Sequence, residues 1–191
     1  FWLKDFEDAE GSKDKTAMLA WTTTPWTLPA NMGLFVNPDF TYAKVKVGDE
    51  FYILAKDLLE KVFIDEKRQP IPFEIVNLID GTELIGLSYE PLFEDSKYSG
   101  EGEENAYKVW GADYVSLESG TGIVHSAPAY GEEDFNFGKK YGIPVFHVLD
   151  EYGKYIDGEF AGEDVWEFNK PLAKILKERG VVWKIDYIRH E

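Results

Sequence analysis

Apolar and polar residues alternate through Tyr42–Val47 (YAKVKV), and Glu50–Leu54 (EFYIL) follows after a Gly-Asp turn. That pattern predicts a β-hairpin. Ala17–Trp21 is apolar and runs into three threonines, which reads as another strand. Pro25 and Pro29 forbid a regular helix or a central strand just beyond it. Thr22–Asn31 is therefore expected to be a strand end followed by an extended, ordered loop. Phe73–Leu78, Gly81–Leu87, Tyr107–Val115, Gly122–His125 and Ile143–Leu149 are further strand candidates, and Val181–Tyr187 is a last one. Glu94–Asn105 is polar and contains glycine, so it reads as a surface loop.

Helical spacing occurs in three places. Leu58, Leu59, Val62 and Phe63 share one face of Lys56–Ile64. Glu132–Tyr141 carries acids in its first turn and Lys139–Lys140 near its end, which complements a helix dipole, and Gly142 suits the C-terminal cap. Glu167–Arg179 places Phe168, Leu172, Ile175 and Leu176 on one side and is closed by Gly180. Many strands with about three peripheral helices predict an α+β domain, mainly β and β-barrel-like. The 191 residues suit a single domain over 1–191, and 44% hydrophobic content is enough for a sizeable core.

Charge and composition narrow the function. The net charge of −16 argues against a broad grip on nucleic-acid phosphates, so any RNA partner should touch only a small part of the surface. Cysteine is absent, which excludes disulfides, Cys-ligated zinc and a thiol nucleophile. No apolar run approaches the roughly 20 residues of a membrane span. The N-terminal FWLKDFEDAEGSKD has neither the basic start nor the apolar stretch of a signal peptide and reads as an internal segment.

Three groups can carry chemistry. Thr22, Thr23 and Thr24 precede a proline, and in an extended segment Thr22 and Thr24 would point to the same side. They could offer hydroxyls to a ligand, although β propensity alone also produces such runs. Gly120-Thr-Gly-Ile-Val-His125 puts flexible glycines before a short strand, but no GK[ST] follows, so it is no P-loop. His125 at that strand's end is either structural or chemical. Asp134, nine residues later, falls in the first turn of the Glu132–Tyr141 helix. It is either an ordinary helix-end acid or a carboxylate that receives a substrate cation. With no GxSxG elbow and no HExxH site, a hydrolase built here would use a positioned water.

Taken together, Trp21–Asn31 (WTTTPWTLPAN) and Gly120–Phe135 (GTGIVHSAPAYGEEDF) resemble the two hydrolytic-site motifs of the isoleucyl-tRNA synthetase editing domain. Gly111-Ala-Asp-Tyr-Val115 and Gly86-Leu-Ser-Tyr89 lie between them in similar form, and Tyr187-Ile-Arg-His190 resembles the return to the synthetase body. The valyl and leucyl sister domains share the fold but usually carry arginine before the proline, where this chain has Thr24.

The resemblance implies hydrolysis of valine wrongly attached to isoleucine tRNA, or of valyl-adenylate. It implies that Asp134 holds the α-ammonium. His125 would line the side-chain pocket, and Thr22, Thr23 and Thr24 would bind the terminal adenosine and ester and place the water. Trp21 and Trp26 would shape the pocket, with packing as their main role. It further implies a monomeric domain attached to the remainder of a cytoplasmic synthetase, with no cofactor of its own. ATP and magnesium belong to the full-length enzyme, whose HIGH and KMSKS signatures this chain lacks. A valyl- or leucyl-type editor and a non-catalytic binding module of the same fold are the alternatives.

Overall fold

A computed structural model describes residues 1–186. The hairpin forms as its alternation requires, with strand β3 (Thr41–Val47) antiparallel to β4 (Glu50–Ala55). Strand β1 (Thr16–Met18) runs parallel to β4 on one side, and β5 (Glu74–Asp80) runs antiparallel to β3 on the other. This gives a four-stranded sheet of order β1-β4-β3-β5. A second sheet of order β6-β2-β7 is built from β2 (Gly33–Val36), β6 (Lys108–Gly111) and β7 (Ile123–Ser126). The α+β expectation holds, but the barrel does not close: two open sheets face one another. Met18 and Ile53 from one sheet pack with Leu34, Val36, Val109 and Ile123 from the other.

Lys44 departs from the alternation that predicted the hairpin. Its side chain is fully buried and its Nζ lies 2.7 Å from Asp8 Oδ2. That hydrogen bond, helped by the Ser12 backbone N–H, holds the Asp8 carboxyl down to about 2. The pair pins the N-terminal segment across β3.

Gly122 serves the contact between sheets, and Gly120 leaves room for the Trp21 side chain. Both have positive φ. A Cβ on Gly122 would meet the Ala55 Cβ at 2.5 Å. The close approach lets the Ala55 N–H donate to the Thr121 carbonyl at 2.8 Å, and the buried Tyr42 hydroxyl donate to the Gly122 carbonyl at 2.6 Å.

Four expectations are corrected. Thr22–Asn31 is not an extended loop: Pro25–Ala30 forms a 3-10 helix containing both prolines. Pro25 opens it, where a missing N–H costs nothing. Pro29 cannot donate to the Trp26 carbonyl, and the Tyr155 hydroxyl does so instead at 2.7 Å. Gly81–Leu87 is not a strand. Asp80 and Glu83 form a capping box that starts the short helix α1 (Gly81–Leu84). Ile143–Leu149 forms no ladder. Pro144 removes a donor, and the Val148 and Leu149 N–H groups bind the Tyr130 hydroxyl at 2.9 and 3.1 Å. Residues 181–186 are not a strand either, and Tyr187 lies outside the described residues.

Lys56–Ile64 resolves into a 3-10 turn followed by one helical turn, Leu59–Val62. Helix α2 spans Glu132–Tyr141 and ends at Gly142 with φ of 69°, as its charge pattern and terminal glycine predicted. Helix α3 spans Val165–Glu178 and begins where Asp164 accepts the N–H groups of Trp166 and Glu167. It packs Leu172 and Leu176 beside Leu28 of the 3-10 helix.

Two substitutions test this wiring. Gly122→Ala should destabilise the protein by about 1–3 kcal/mol in denaturant unfolding, through positive φ and overpacking on Ala55. Tyr155→Phe should cost about 1–2 kcal/mol by orphaning the Trp26 carbonyl. Unchanged midpoints would show that neither interaction holds the fold.

Candidate active site

The threonine peptide is folded against its own helix. The Thr24 N–H donates to Thr22 Oγ1 at 3.0 Å, and the two hydroxyl oxygens are 3.3 Å apart. The shared side expected for an extended strand is thus reached by a tight turn instead. Thr27 follows one 3-10 turn after Thr24 and donates its hydroxyl to the Thr24 carbonyl at 2.9 Å. Trp21 bridges to Val124 of β7 and leaves 44% of its surface exposed.

His125 projects from β7 into this corner and is buried. Its Nδ1 lies 2.8 Å from Asn31 Nδ2 and its Nε2 lies 2.8 Å from Thr27 Oγ1. The network assigns the protons. Tyr89 donates its hydroxyl to Asn31 Oδ1 at 2.5 Å, and Asn31 Nδ2 donates to the Gly33 carbonyl, so Nδ2 is the amide nitrogen. His125 Nδ1 must therefore accept, and Nε2–H must donate to the Thr27 oxygen. Burial lowers the imidazole pKa to about 4, so the ring is neutral. Both nitrogens are occupied, and the face and edge carbons are what remain for a ligand.

Asp134 behaves differently from its helical neighbours. Glu132 and Glu133 are exposed, as helix-end acids usually are. Asp134 is half-buried and turns off the helix: Oδ2 accepts the Ala127 N–H at 3.1 Å, and Oδ1 accepts the Tyr114 hydroxyl at 3.3 Å. Burial raises its pKa above the usual 3.8, and the Ala127 N–H only partly offsets this. The Tyr114 hydroxyl is also pushed up, by burial and by the Asp134 charge. Asp134 is thus a carboxylate whose ionised form is under-compensated, which a cation in the cleft would relieve.

Six of the seven residues singled out in the sequence (Trp21, Thr22, Thr23, Thr24, His125 and Asp134) line one cleft of about 360 Å³. Tyr114 and Tyr130 complete its wall. Trp26 packs instead against Tyr130 and Trp166. A second cavity of about 1000 Å³ adjoins the first, and Trp21–Thr24, Ser119–Thr121 and His125 border both. Sequence reasoning missed Thr27, Asn31, Tyr89 and Tyr114. Thr27 and Asn31 lie inside the quoted motif, but the expected extended loop hid their alignment with His125. Tyr114 carries no spacing signal toward Asp134. Among the described residues, no group of three His, Asp or Glu side chains is placed to hold a metal, and no helix is long and apolar enough to cross a membrane.

Comparison with known proteins gives this cleft a family. The model of the leucyl-tRNA synthetase editing domain matches residues 92–166. Isoleucine–tRNA ligase from Pyrococcus furiosus is 43% identical over 187 residues, covering 94% of this chain. The Bdellovibrio bacteriovorus enzyme is 43% identical over 180 residues, covering 92%. The chain spans 17% and 16% of those relatives' lengths. Among solved structures, GlLeuRS-CP1 aligns with a TM-score of 0.71 at 16% identity, covering 93% of this chain and 85% of that one. The cytosolic leucyl-tRNA synthetase editing domain of P. falciparum aligns at 0.66 and 14% identity, covering 93% and 86%. The structural likeness shows the fold and the sequence likeness gives the branch: the chain belongs to the editing-domain family of the class I tRNA synthetases, and within it to the isoleucyl type.

Proposed function

We propose that the cleft hydrolyses valine wrongly attached to isoleucine tRNA, and valyl-adenylate, after the substrate's α-ammonium docks on Asp134. The observation that carries this reading is the half-buried, under-compensated Asp134 carboxylate facing the threonine peptide across one cleft. A charge-assisted hydrogen bond to an ammonium there contributes about 1.5–3 kcal/mol. Thr22, Thr23 and Thr24 hold the terminal ribose and ester and orient the water, with the Trp21 ring at the rim. His125 acts as a wall. Its neutral ring, fixed by Thr27 and Asn31, limits the length of the side chain that fits.

Such a second site has a physical reason. One methylene changes binding in an apolar pocket by about 1–3 kcal/mol, a general figure for which isoleucine against valine is the standard illustration. A pocket that admits valine and excludes isoleucine on size removes what the first selection cannot.

On the tRNA ester, water adds to the carbonyl and the bond from that carbon to the ribose oxygen breaks. The proton passes to the departing oxygen, leaving free valine and a free tRNA 3′ end. His125 cannot relay it, since both nitrogens are engaged and its pKa is lowered to about 4. Asp134 bound to an ammonium is a weak base. We assign the relay to the neighbouring free ribose hydroxyl of the substrate. The domain acts as a monomeric unit of a cytoplasmic synthetase, needs no cofactor for this step, and leaves ATP and magnesium to the activation site elsewhere in the full-length enzyme. Leucyl-type specificity is the second reading, favoured by the leucyl editing model; faster hydrolysis of methionyl than valyl esters would select it.

In the full-length enzyme, Asp134→Ala should slow deacylation of valyl-tRNA for isoleucine by roughly 100-fold, the equivalent of 2–3 kcal/mol. Full activity would remove Asp134 from the mechanism. Because burial raises the Asp134 pKa, ionising it costs the empty fold stability as pH rises from the usual 3.8 through the raised value. Asp134→Asn should therefore melt no lower than the parent at pH 7 while losing activity, and the parent's activity should fall as acid protonates this carboxylate. His125→Ala should admit isoleucyl-tRNA to hydrolysis, and unchanged discrimination would place the size limit on another residue.

A further inference from the structure

The second cavity is a local exception to the protein's charge. Lys61, Lys170, Lys174 and Lys184 all border it, and Asp186 is the one acidic residue among the described residues that does so. Asp186 is 3.4 Å from Lys184, and Lys184 also donates to the Ile64 carbonyl. Lys61, Lys170 and Lys174 enter no salt bridge among the described residues. In a chain of net charge −16, three such ammonium groups around one groove are unusual. Two of them, Lys170 and Lys174, stand one helical turn apart on α3, so both face the groove. Trp21, 44% exposed, also lines the groove and offers a flat ring there.

Resting on the editing reading above, we propose that this lysine-bordered groove takes the phosphates of the single-stranded tRNA 3′ end. The groove leads that strand to the threonine peptide from the α3 side. Three features favour this occupant. The groove and the candidate active site share the threonine peptide as a common wall, so a strand lying in one can place its last nucleotide in the other. At about 1000 Å³ it is far larger than a single amino acid needs. Lysines with an aromatic ring beside them form a sequence-tolerant surface for single-stranded nucleic acid. The arrangement also reconciles the acidic surface with an RNA substrate: the protein grips a few phosphates at one place and repels the rest of the strand.

The test measures anisotropy of a 5′-labelled single-stranded RNA ending in CCA, with the 191-residue chain, across a salt series. Lys170→Ala combined with Lys174→Ala should raise Kd roughly tenfold at about 100 mM salt. It should also lower the slope of log Kd against log salt by about 1.4, or 0.7 for each phosphate no longer neutralised. Thermal unfolding of the double variant should match the parent, since both side chains are exposed. A non-hydrolysable valyl-adenosine amide, which carries no phosphate, is the second probe. It should stabilise parent and double variant equally. If the amide binds both but RNA affinity and salt slope are unchanged by the substitutions, the lysine groove is overturned while the editing reading stands. The groove would then face another protein segment. If the amide fails to bind even the parent, the editing reading itself falls, and the groove assignment falls with it.

Discussion

The site depends on one buried relay of hydrogen bonds: Tyr89 to Asn31, Asn31 to His125, His125 to Thr27, and Thr27 to the Thr24 carbonyl. It joins residues separated by 58 and 98 positions in sequence and fixes both the tautomer and the tilt of the imidazole. Every buried polar atom in it has a partner, so breaking any link orphans the next, at about 1–3 kcal/mol each. The 3-10 helix supports the same arrangement, because three residues per turn bring Thr24 and Thr27 into line beneath His125. Without that relay the threonine peptide would lose its orientation to Asp134, and the cleft its rear wall.

Two titratable groups of opposite character therefore share one cleft. His125 is buried and held neutral by donors and acceptors already in place. Asp134 is half-buried, and burial raises the cost of its ionised form. The first offers shape without charge and the second offers charge to a ligand. The proposed recognition of a small amino acid by its ammonium and its size needs these two properties in separate residues. Gly122 before β7 lets the two sheets approach closely enough that β7 can deliver His125 to the corner.

Much of this was legible in the sequence, for identifiable reasons. Alternation predicted the β3–β4 hairpin, and charge bias with Gly142 predicted the Glu132–Tyr141 helix to the residue. The two motifs named six residues that the fold gathers into one cleft. The differences arise where tertiary partners substitute for local ones. Tyr155 supplies the hydrogen bond that Pro29 cannot make, which permits a helix where proline alone would forbid it. Tyr130 takes the N–H groups of Val148 and Leu149, so an apolar run forms no strand. The Asp80–Glu83 capping box was a local signal that the apolar pattern of Gly81–Leu87 obscured. Tyr114 and Tyr89 reach the site only through long-range packing, which no spacing rule reports.

Everything proposed for the chemistry turns on His125 being a neutral wall and not the base of the reaction. Nitrogen NMR of the ¹⁵N-labelled imidazole, followed from about pH 8 to about pH 4, decides between the two. A neutral wall requires the Nε2–H tautomer throughout the neutral range, with protonation only near pH 4. A proton resident on Nδ1, or a titration near the ordinary histidine value of about 6.5, would contradict it and return His125 to contention as the catalytic base.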